Sequence, residues 1–141
     1  MANDAGDFSR SMSIATSGLR AQAGRMRVIS ENIANADSTA ATPGGDPYRR
    51  KVPTFSSELD RSLDAKTVAL GRIRPDPSAF RIKHDPGNPA ADAAGNVKYP
   101  NVNPLVEMTD MREAQRSYEA NLNIISATRH MIQRTLDILK A

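Results

Sequence analysis

The placement of proline divides this 141-residue chain more sharply than any other feature. All nine prolines lie between Pro43 and Pro104, and both ends of the chain are free of them. Proline lacks a backbone N–H and clashes with the preceding helical turn, so proline-free ends around a proline-rich centre favour helix, non-helix, helix. We therefore predict a mainly α fold in three segments: a helical 1–42, a small β-rich or irregular middle lobe at 43–104, and a helical 105–141.

The N-terminal segment has the spacing of a coiled-coil helix. Apolar residues recur there at alternating steps of four and three, which is the 3.5-residue period of a coiled-coil seam. The positions of this N-terminal seam are Phe8, Met12, Ala15, Leu19, Gln22, Met26, Ile29, Ile33 and Ala36.

The C-terminal segment has the same spacing. Its seam positions are Met108, Met111, Gln115, Tyr118, Leu122, Ile125, Arg129, Ile132, Leu136 and Leu139. Pro104 stands where a helix tolerates proline, at or before its first turn. Because the middle lobe must return the chain to its start, we predict that the two long helices pair as an antiparallel coiled coil.

Each predicted helix also carries a thinner second stripe at seven-residue intervals. The two stripes are Ile14, Ala21 and Val28 in the first helix, and Ile124, Met131 and Ile138 in the second. Such a stripe either widens the packing onto the middle lobe of the same chain or contacts several copies or relatives at once. The periodicity alone leaves both interpretations open.

The middle lobe has the pattern of short strands between turns. Runs with β-branched or aromatic residues alternate there with turn sequences such as Asp85-Pro86-Gly87. The predicted strands are Tyr48–Phe55, Thr67–Ile73, Phe80–Lys83 and Val97–Tyr99.

The residue types argue against an enzyme. The chain has no cysteine, which excludes thiolate metal sites, iron–sulfur clusters and cysteine nucleophiles. His84 and His130 have no second histidine at metal-ligand spacing, and the chain lacks a phosphate-binding loop or a nucleophile elbow. We expect no catalytic site, no cofactor and no metal.

We also expect no membrane span, because no apolar run approaches about 18–20 residues. We expect no cleaved signal peptide, because the N-terminus is polar.

The charge distribution argues against nucleic acid as a partner. The net charge is +3 and aromatic residues make up 4% of the chain, without tryptophan. That balance is far from the dense basic surface of a nucleic-acid binder. The densest positive run, Arg49-Arg50-Lys51, is more typical of a solvated strand edge than of a docking site.

Motifs near both ends of the chain point to a family. Ser17-Gly18-Leu19 and the run from Val28 to Asp37 lie near one end, and Tyr118-Glu119-Ala120-Asn121 lies near the other. They resemble the shared signatures of the bacterial flagellar axial proteins, which are the rod, hook and hook-associated subunits. The middle motifs, Tyr48-Arg49-Arg50-Lys51 and the run from Tyr99 to Asn103, are similar to those of proximal-rod members, and the resemblance extends over residues 9–141.

The resemblance implies a structural subunit of the flagellar basal-body rod. Such a subunit is exported by the flagellar export apparatus without a cleaved signal peptide and polymerises helically in the periplasm. Its partners would be copies of itself, other rod proteins and the proteins that join the rod to the membrane ring, and it would transmit torque to the distal rod and hook. The residues we assign to its assembly interface are Phe8, Met12, Ile14, Leu19, Ala21, Met26, Val28, Ile29, Ile33, Asn35, Arg49, Arg50, Met108, Met111, Tyr118, Asn121, Leu122, Ile124, Ile125, Met131, Ile132, Leu136 and Leu139.

Two other functions compete with this interpretation. An intracellular coiled-coil adaptor or secretion chaperone would use the same stripes to wrap one client helix. A weak RNA binder would use the basic middle lobe, and its binding would depend strongly on salt.

Overall fold

A computed structural model of the chain describes residues 2–140 and has an α+β architecture that is mainly helical. Its elements, in chain order, are α1 (Ala2–Ala34), β1 (Lys51–Asp60), β2 (Ala65–Pro75), β3 (Arg81–His84), β4 (Asn96–Tyr99) and α2 (Pro104–Lys140). The predicted order of helix, strands and helix is confirmed. A strand occurs at each of the four predicted places, with shifted bounds.

The first helix ends earlier than the 1–42 segment implied. Its last residue is Ala34, and the turn that follows is held by side chains. The Asn35 amide group donates to the Glu31 carbonyl oxygen at 2.9 Å, and the Ser38 hydroxyl donates to the Asn35 carbonyl oxygen at 2.9 Å. These bonds satisfy carbonyl groups that a helix end leaves free, so the chain leaves the helix here well before the first proline.

The second helix begins where the sequence predicted. Pro104 is its first residue, and Asn103 caps it. The Asn103 side-chain oxygen accepts from the Leu105 N–H at 3.1 Å, and its carbonyl oxygen accepts from the Glu107 N–H at 3.1 Å. Proline suits this first position because its missing N–H would have no partner inside the helix.

The strands form two separate two-stranded antiparallel sheets. β1 and β2 are consecutive and make a long hairpin whose turn spans residues 61–64. In that turn the Asp60 carboxylate accepts from the N–H and the hydroxyl of Ser62, and Asp64 has a φ of 47°. β3 pairs with β4 in the register Arg81↔Tyr99 to His84↔Asn96.

The chain forms two compact units. Unit 1 comprises Met1–Arg25, Thr54–Arg72 and Glu113–Ala141, and unit 2 comprises Met26–Pro53 and Ile73–Arg112. Small residues dominate the core of unit 1: Ala15, Ala21, Ala65 and Ala114 are all buried. The core of unit 2 is built from Val28, Ile29, Ala36, Ala90, Val97 and Val102. Neither helix, over residues 2–140, is long and apolar enough to cross a membrane.

Candidate assembly surfaces

Asn32, close to the end of α1, is the centre of a buried polar cluster in unit 2. It is 1% exposed, and its side chain makes four hydrogen bonds. The amide nitrogen donates to the Lys51 carbonyl oxygen at 2.8 Å and to the Glu107 carboxylate at 3.0 Å. The amide oxygen accepts from the Lys51 N–H at 2.9 Å and from the Tyr48 hydroxyl at 2.8 Å. Four bonds fill the capacity of a carboxamide, so this side chain is fully committed within the unit.

Glu107 is a fully buried carboxylate in the first turn of α2. The Arg50 guanidinium donates to it at 2.6 Å and also lies 3.4 Å from Asp76 and 3.8 Å from Asp110. A buried charge is tolerated only when it is paired and hydrogen-bonded. Arg50 and Glu107 therefore hold the start of β1 to the start of α2.

Asn101 completes this cluster, which we call the polar hub: Asn32, Tyr48, Arg50, Asp76, Asn101 and Glu107. The Asn101 side chain accepts from the Arg50 N–H at 2.8 Å and donates to the Ser78 hydroxyl at 2.8 Å. Arg49 donates to the carbonyl oxygens of Asp76 and Ser78, both at 3.0 Å. The turn after β2 is thus held by side chains from two other segments.

The hub shifts three pKa values. Burial raises the pKa of Tyr48 to about 12, and two nearby carboxylates add to that rise. Burial opposes the charge of Arg50, but its hydrogen bond to Glu107 and the charge of that carboxylate outweigh the burial and raise the pKa of Arg50. Hydrogen bonds from the N–H and hydroxyl of Ser78, together with the Arg50 charge, lower the pKa of Asp76. Each shift favours the protonation state that the hub contacts require.

In unit 1, α1 contacts α2 through small and polar residues. A methyl group added at Gly18 would lie 2.7 Å from the Asn121 side-chain nitrogen, so the Asn121 side chain lies directly against the α1 backbone there. Arg25 pairs with Glu113 at 3.2 Å. Close approach of this kind requires a residue without a side chain on one of the two helices.

A second contact of α1 in unit 1 is with the hairpin. The Ser17 hydroxyl accepts from the Val68 N–H at 3.2 Å. A methyl group added at Gly24 would lie 2.8 Å from the Leu70 side chain. α1 is therefore packed on two sides by its own chain.

The buried positions of α2 differ from the predicted seam at every second position. Four of the nine seam positions that the structure describes are half-buried: Met111, Tyr118, Ile125 and Ile132. The other seam positions that the structure describes, Met108, Gln115, Leu122, Arg129 and Leu136, are exposed. Four of the five residues one position earlier in the chain are more buried: Glu107, Ala114 and Thr128 are buried and Asn121 is half-buried, whereas Thr135 is exposed. The apolar spacing does not mark these positions, because they carry small or polar side chains.

α2 consequently leaves a large apolar surface uncovered. We call it the exposed face of α2; its side chains are between 45% and 76% exposed. It consists of Met108, Leu122, Ile124, Met131, Leu136 and Ile138. Exposed apolar patches of this kind mark interaction sites.

The assembly residues assigned from the sequence fall into three groups of exposure. Buried are Ala21, Val28 and Ile29. Half-buried are Phe8, Met12, Leu19, Met26, Ile33, Asn35, Arg49, Arg50, Met111, Tyr118, Asn121, Ile125 and Ile132. Exposed are Ile14, Met108, Leu122, Ile124, Met131 and Leu136. Leu139 lies outside the side chains that the structure describes.

The hub contains residues that the sequence interpretation missed and one that it placed elsewhere. The sequence assigns Glu107 only to the start of the second helix and Asn32 only to a family motif, because the two contact each other across 75 positions and no local period marks such a pair. The available signals were a polar residue inside a family motif and an acid in the first helical turn. Arg50 was assigned to the assembly interface, whereas its side chain bonds within the chain.

Residues 2–140 contain no group of three or more residues able to hold a metal ion. Both histidines are exposed, and His84 contacts the Asn96 side chain at 3.3 Å.

A groove of about 640 Å³ in unit 2 is lined by Glu31, Asn35, Tyr48, Arg49, Lys51, Ile73 and Pro75. Lys51 pairs with Glu31 in it, so both of these charges are engaged within the chain.

Two family models match parts of this chain, and several known proteins are similar to most of it. Residues 12–41 match the family model described as flagella basal body rod protein, and residues 93–138 match the one described as flagellar basal body rod FlgEFG protein C-terminal. The flagellar basal-body rod protein FlgC of Agrobacterium fabrum is 55% identical over 134 residues, covering 95% of this chain and 96% of the relative. The FlgC proteins of Bacillus subtilis and Salmonella typhimurium are 39% and 37% identical; the alignments cover 92% and 89% of this chain and 97% and 92% of those relatives.

Proposed function

Because this chain belongs to the FlgC family of flagellar basal-body rod proteins, we propose that it polymerises helically with other rod proteins and with copies of itself through the exposed face of α2. It is a structural rod subunit of the flagellar basal body, and its family is not enzymatic. The observation that carries the proposal is the apolar surface of α2, whose side chains remain between 45% and 76% exposed in the chain alone.

The proposal includes an antiparallel coiled coil of the two long helices, in which 1–42 and 105–141 supply the axial core and 43–104 the lobe. Two contacts support it. Both lie within unit 1: Gly18 meets Asn121, and Arg25 pairs with Glu113. Residue numbers therefore rise along α1 while those of the contacting residues fall along α2, as antiparallel helices require.

The geometry of α2 supports contacts with more than one neighbour. Helical residues turn by about 100° each. Leu122 follows Asn121 by one residue and Ile124 follows it by three, so they lie on opposite flanks of the side that contacts α1. One flank also carries Met108 and Leu136, and the other carries Met131 and Ile138. Two apolar flanks on one helix fit a lattice in which each α2 packs between two neighbouring subunits.

Export and position complete the proposal. The subunit passes through the flagellar export apparatus, joins the rod in the periplasm next to the proteins of the rod–membrane-ring junction, and transmits torque to the distal rod and hook. The full-length similarity to FlgC proteins supports this assignment over an intracellular adaptor or chaperone. The absence of cysteine suits an oxidising compartment.

The variant Ile124→Asp tests the proposal. A carboxylate in an apolar contact is strongly unfavourable, and a lattice repeats the effect at every copy. We expect the variant to be synthesised and secreted but absent from purified basal bodies, and the cells to be non-motile. Asn123→Asp is the matched control, because Asn123 is an exposed polar neighbour on the same helix. Normal swimming and normal incorporation of Ile124→Asp would refute the proposed role of this face.

A further inference from the structure

The methionines of the described chain differ in exposure. Met12, Met26 and Met111 are half-buried. Met108 and Met131 are each 49% exposed. A thioether is oxidised according to its access to solvent, so the two exposed methionines are the more vulnerable ones.

We propose that Met108 and Met131 are oxidation sites through which two-electron oxidants, such as hydrogen peroxide, keep an unassembled subunit out of the rod. The inference rests on the proposed function, because it needs the exposed face of α2 to be the assembly surface. The sulfur lone pair attacks a peroxide oxygen, an S–O bond forms and the O–O bond breaks. The sulfur loses two electrons, the peroxide gains them, and proton transfer releases one water.

The product changes the chemistry of the assembly surface. A sulfoxide is polar, whereas Met108 and Met131 lie among leucine and isoleucine on the two flanks of α2. Covering a polar group without a hydrogen-bond partner is unfavourable. Oxidation of Met108 therefore weakens the apolar contact on its flank of α2, and oxidation of Met131 weakens the apolar contact on the other flank. Methionine sulfoxide reductases reverse the reaction, so a damaged subunit is recoverable before it assembles.

The same geometry limits when oxidation occurs. Both side chains are open in the free subunit and would be covered by neighbours in the rod. The sites are then reactive before incorporation and protected after it.

A first experiment measures the chemistry. The purified full-length subunit and purified basal bodies are treated with hydrogen peroxide, and sulfoxide formation is followed by peptide mass spectrometry. In the free subunit, Met108 and Met131 should oxidise several-fold faster than Met12, Met26 and Met111, and in basal bodies that difference should vanish. Equal rates for these five methionines in the free subunit would overturn the proposal.

A second experiment measures the consequence in cells that express the native chain and a Met108→Leu/Met131→Leu variant together. The ratio of the two chains in purified basal bodies should be unchanged without peroxide and should move several-fold toward the leucine variant with it. Met111→Leu serves as the control and should produce no such shift. An unmoved ratio would refute the oxidation proposal and leave the assembly role intact.

The variant Met131→Gln tests the effect of polarity at this position without an oxidant. Glutamine imitates the polarity of the sulfoxide, so this variant should be under-represented in basal bodies without any oxidant. Circular dichroism of the purified variant should match that of the native chain, because the position is exposed. Normal incorporation of Met131→Gln would contradict both the oxidation proposal and the assembly role of this flank.

Discussion

The two long helices are similar in length and spacing, yet the chain treats them differently. α1 has 33 residues and α2 has 37. α1 is packed by α2 on one side and by the hairpin on another, and Ile14 is its one large apolar side chain counted as exposed among those the structure describes. Among the side chains that the structure describes, α2 contributes eight of the fourteen large apolar ones that are exposed. The subunit thus completes the packing of one helix itself and leaves much of the other exposed, where we propose that neighbours cover it.

Residue size explains the difference. α1 has Gly18 and Gly24 at its contacts, so α2 and the hairpin can approach its backbone closely. α2 has large side chains on both flanks of its inner side, and hydrophobic stabilisation requires them to be covered. Equal periodicity therefore conceals a difference in packing, and in our proposal α1 serves folding whereas α2 serves assembly.

The largest loss of unfolding free energy should come from a substitution at the fully buried Glu107 of α2. Glu107→Gln removes the charge from a fully buried carboxylate that holds Arg50. Breaking one partner of a buried ion pair costs about 3–5 kcal/mol, and Asp76 and Asp110 leave this case near the lower end. Urea denaturation of the purified subunit measures the loss.

Glu113→Gln is the control for that variant. Glu113 also pairs with an arginine, but its side chain is 66% exposed, so the pair is worth about 0–1 kcal/mol. Equal losses for Glu107→Gln and Glu113→Gln would show that the hub is not the main support of unit 2.

The next effect concerns the close contact of α1. Gly18→Val places a branched side chain where even a methyl group lies 2.7 Å from Asn121, and overpacking of this kind costs about 1–3 kcal/mol. Gly6→Val is the matched control, because a methyl group added there meets nothing within 4 Å. In thermal unfolding, the melting temperature of Gly18→Val should lie well below that of Gly6→Val. The same melting temperature for both would mean that α1 is not closely packed.

A smaller effect should appear at alkaline pH. Burial raises the pKa of Tyr48 to about 12 from an ordinary value of 10.0. A group with a raised folded-state pKa stabilises the fold fully below its unfolded pKa, and that stabilisation is lost as pH rises through the folded value. We expect stability to decline between about pH 10 and 12, and Tyr48→Phe to flatten that decline. Chemical denaturation across this range checks it; an unchanged slope in Tyr48→Phe would assign the decline to other groups.

The smallest change in unfolding free energy should come from a substitution on the exposed face of α2 in the isolated subunit. Ile124→Asp, which should abolish incorporation into the rod, should change monomer stability by only about 0.5 kcal/mol, because Ile124 is 47% exposed. Thr128→Asp, at a position that is 2% exposed on the same helix, should cost clearly more. If Ile124→Asp unfolds the monomer, this side chain belongs to the fold and the contrast between the helices fails.

The fold was predictable because its signals are local. Proline positions marked the middle lobe, Pro104 marked the start of α2, and turn residues separated the four strands. The end of α1 at Ala34 was less predictable, because it depends on the side chains of Asn35 and Ser38 rather than on a helix-breaking residue.

The site was only partly predictable, because its decisive contacts are long-range. In α2 the apolar pattern located the stripe but favoured Met108 and Leu122 over their preceding neighbours, Glu107 and Asn121. A pattern of apolar residues marks positions covered within the chain together with those that, in our proposal, a neighbour covers. It does not separate what the chain covers itself from what a neighbour covers. The hub depends in the same way on partners that no local period connects, such as Asn32 and Glu107.

The central claim, that the exposed face of α2 is covered by neighbours in the rod, can be measured directly because the chain has no cysteine. Leu122→Cys and Ile124→Cys place one thiol on each flank of α2, and Asn123→Cys places one between them in sequence as a control. Each variant is labelled with a maleimide as the free subunit and in purified basal bodies. We predict that Leu122→Cys and Ile124→Cys react in the free subunit and are protected in basal bodies. Undiminished labelling of both in basal bodies would contradict the account.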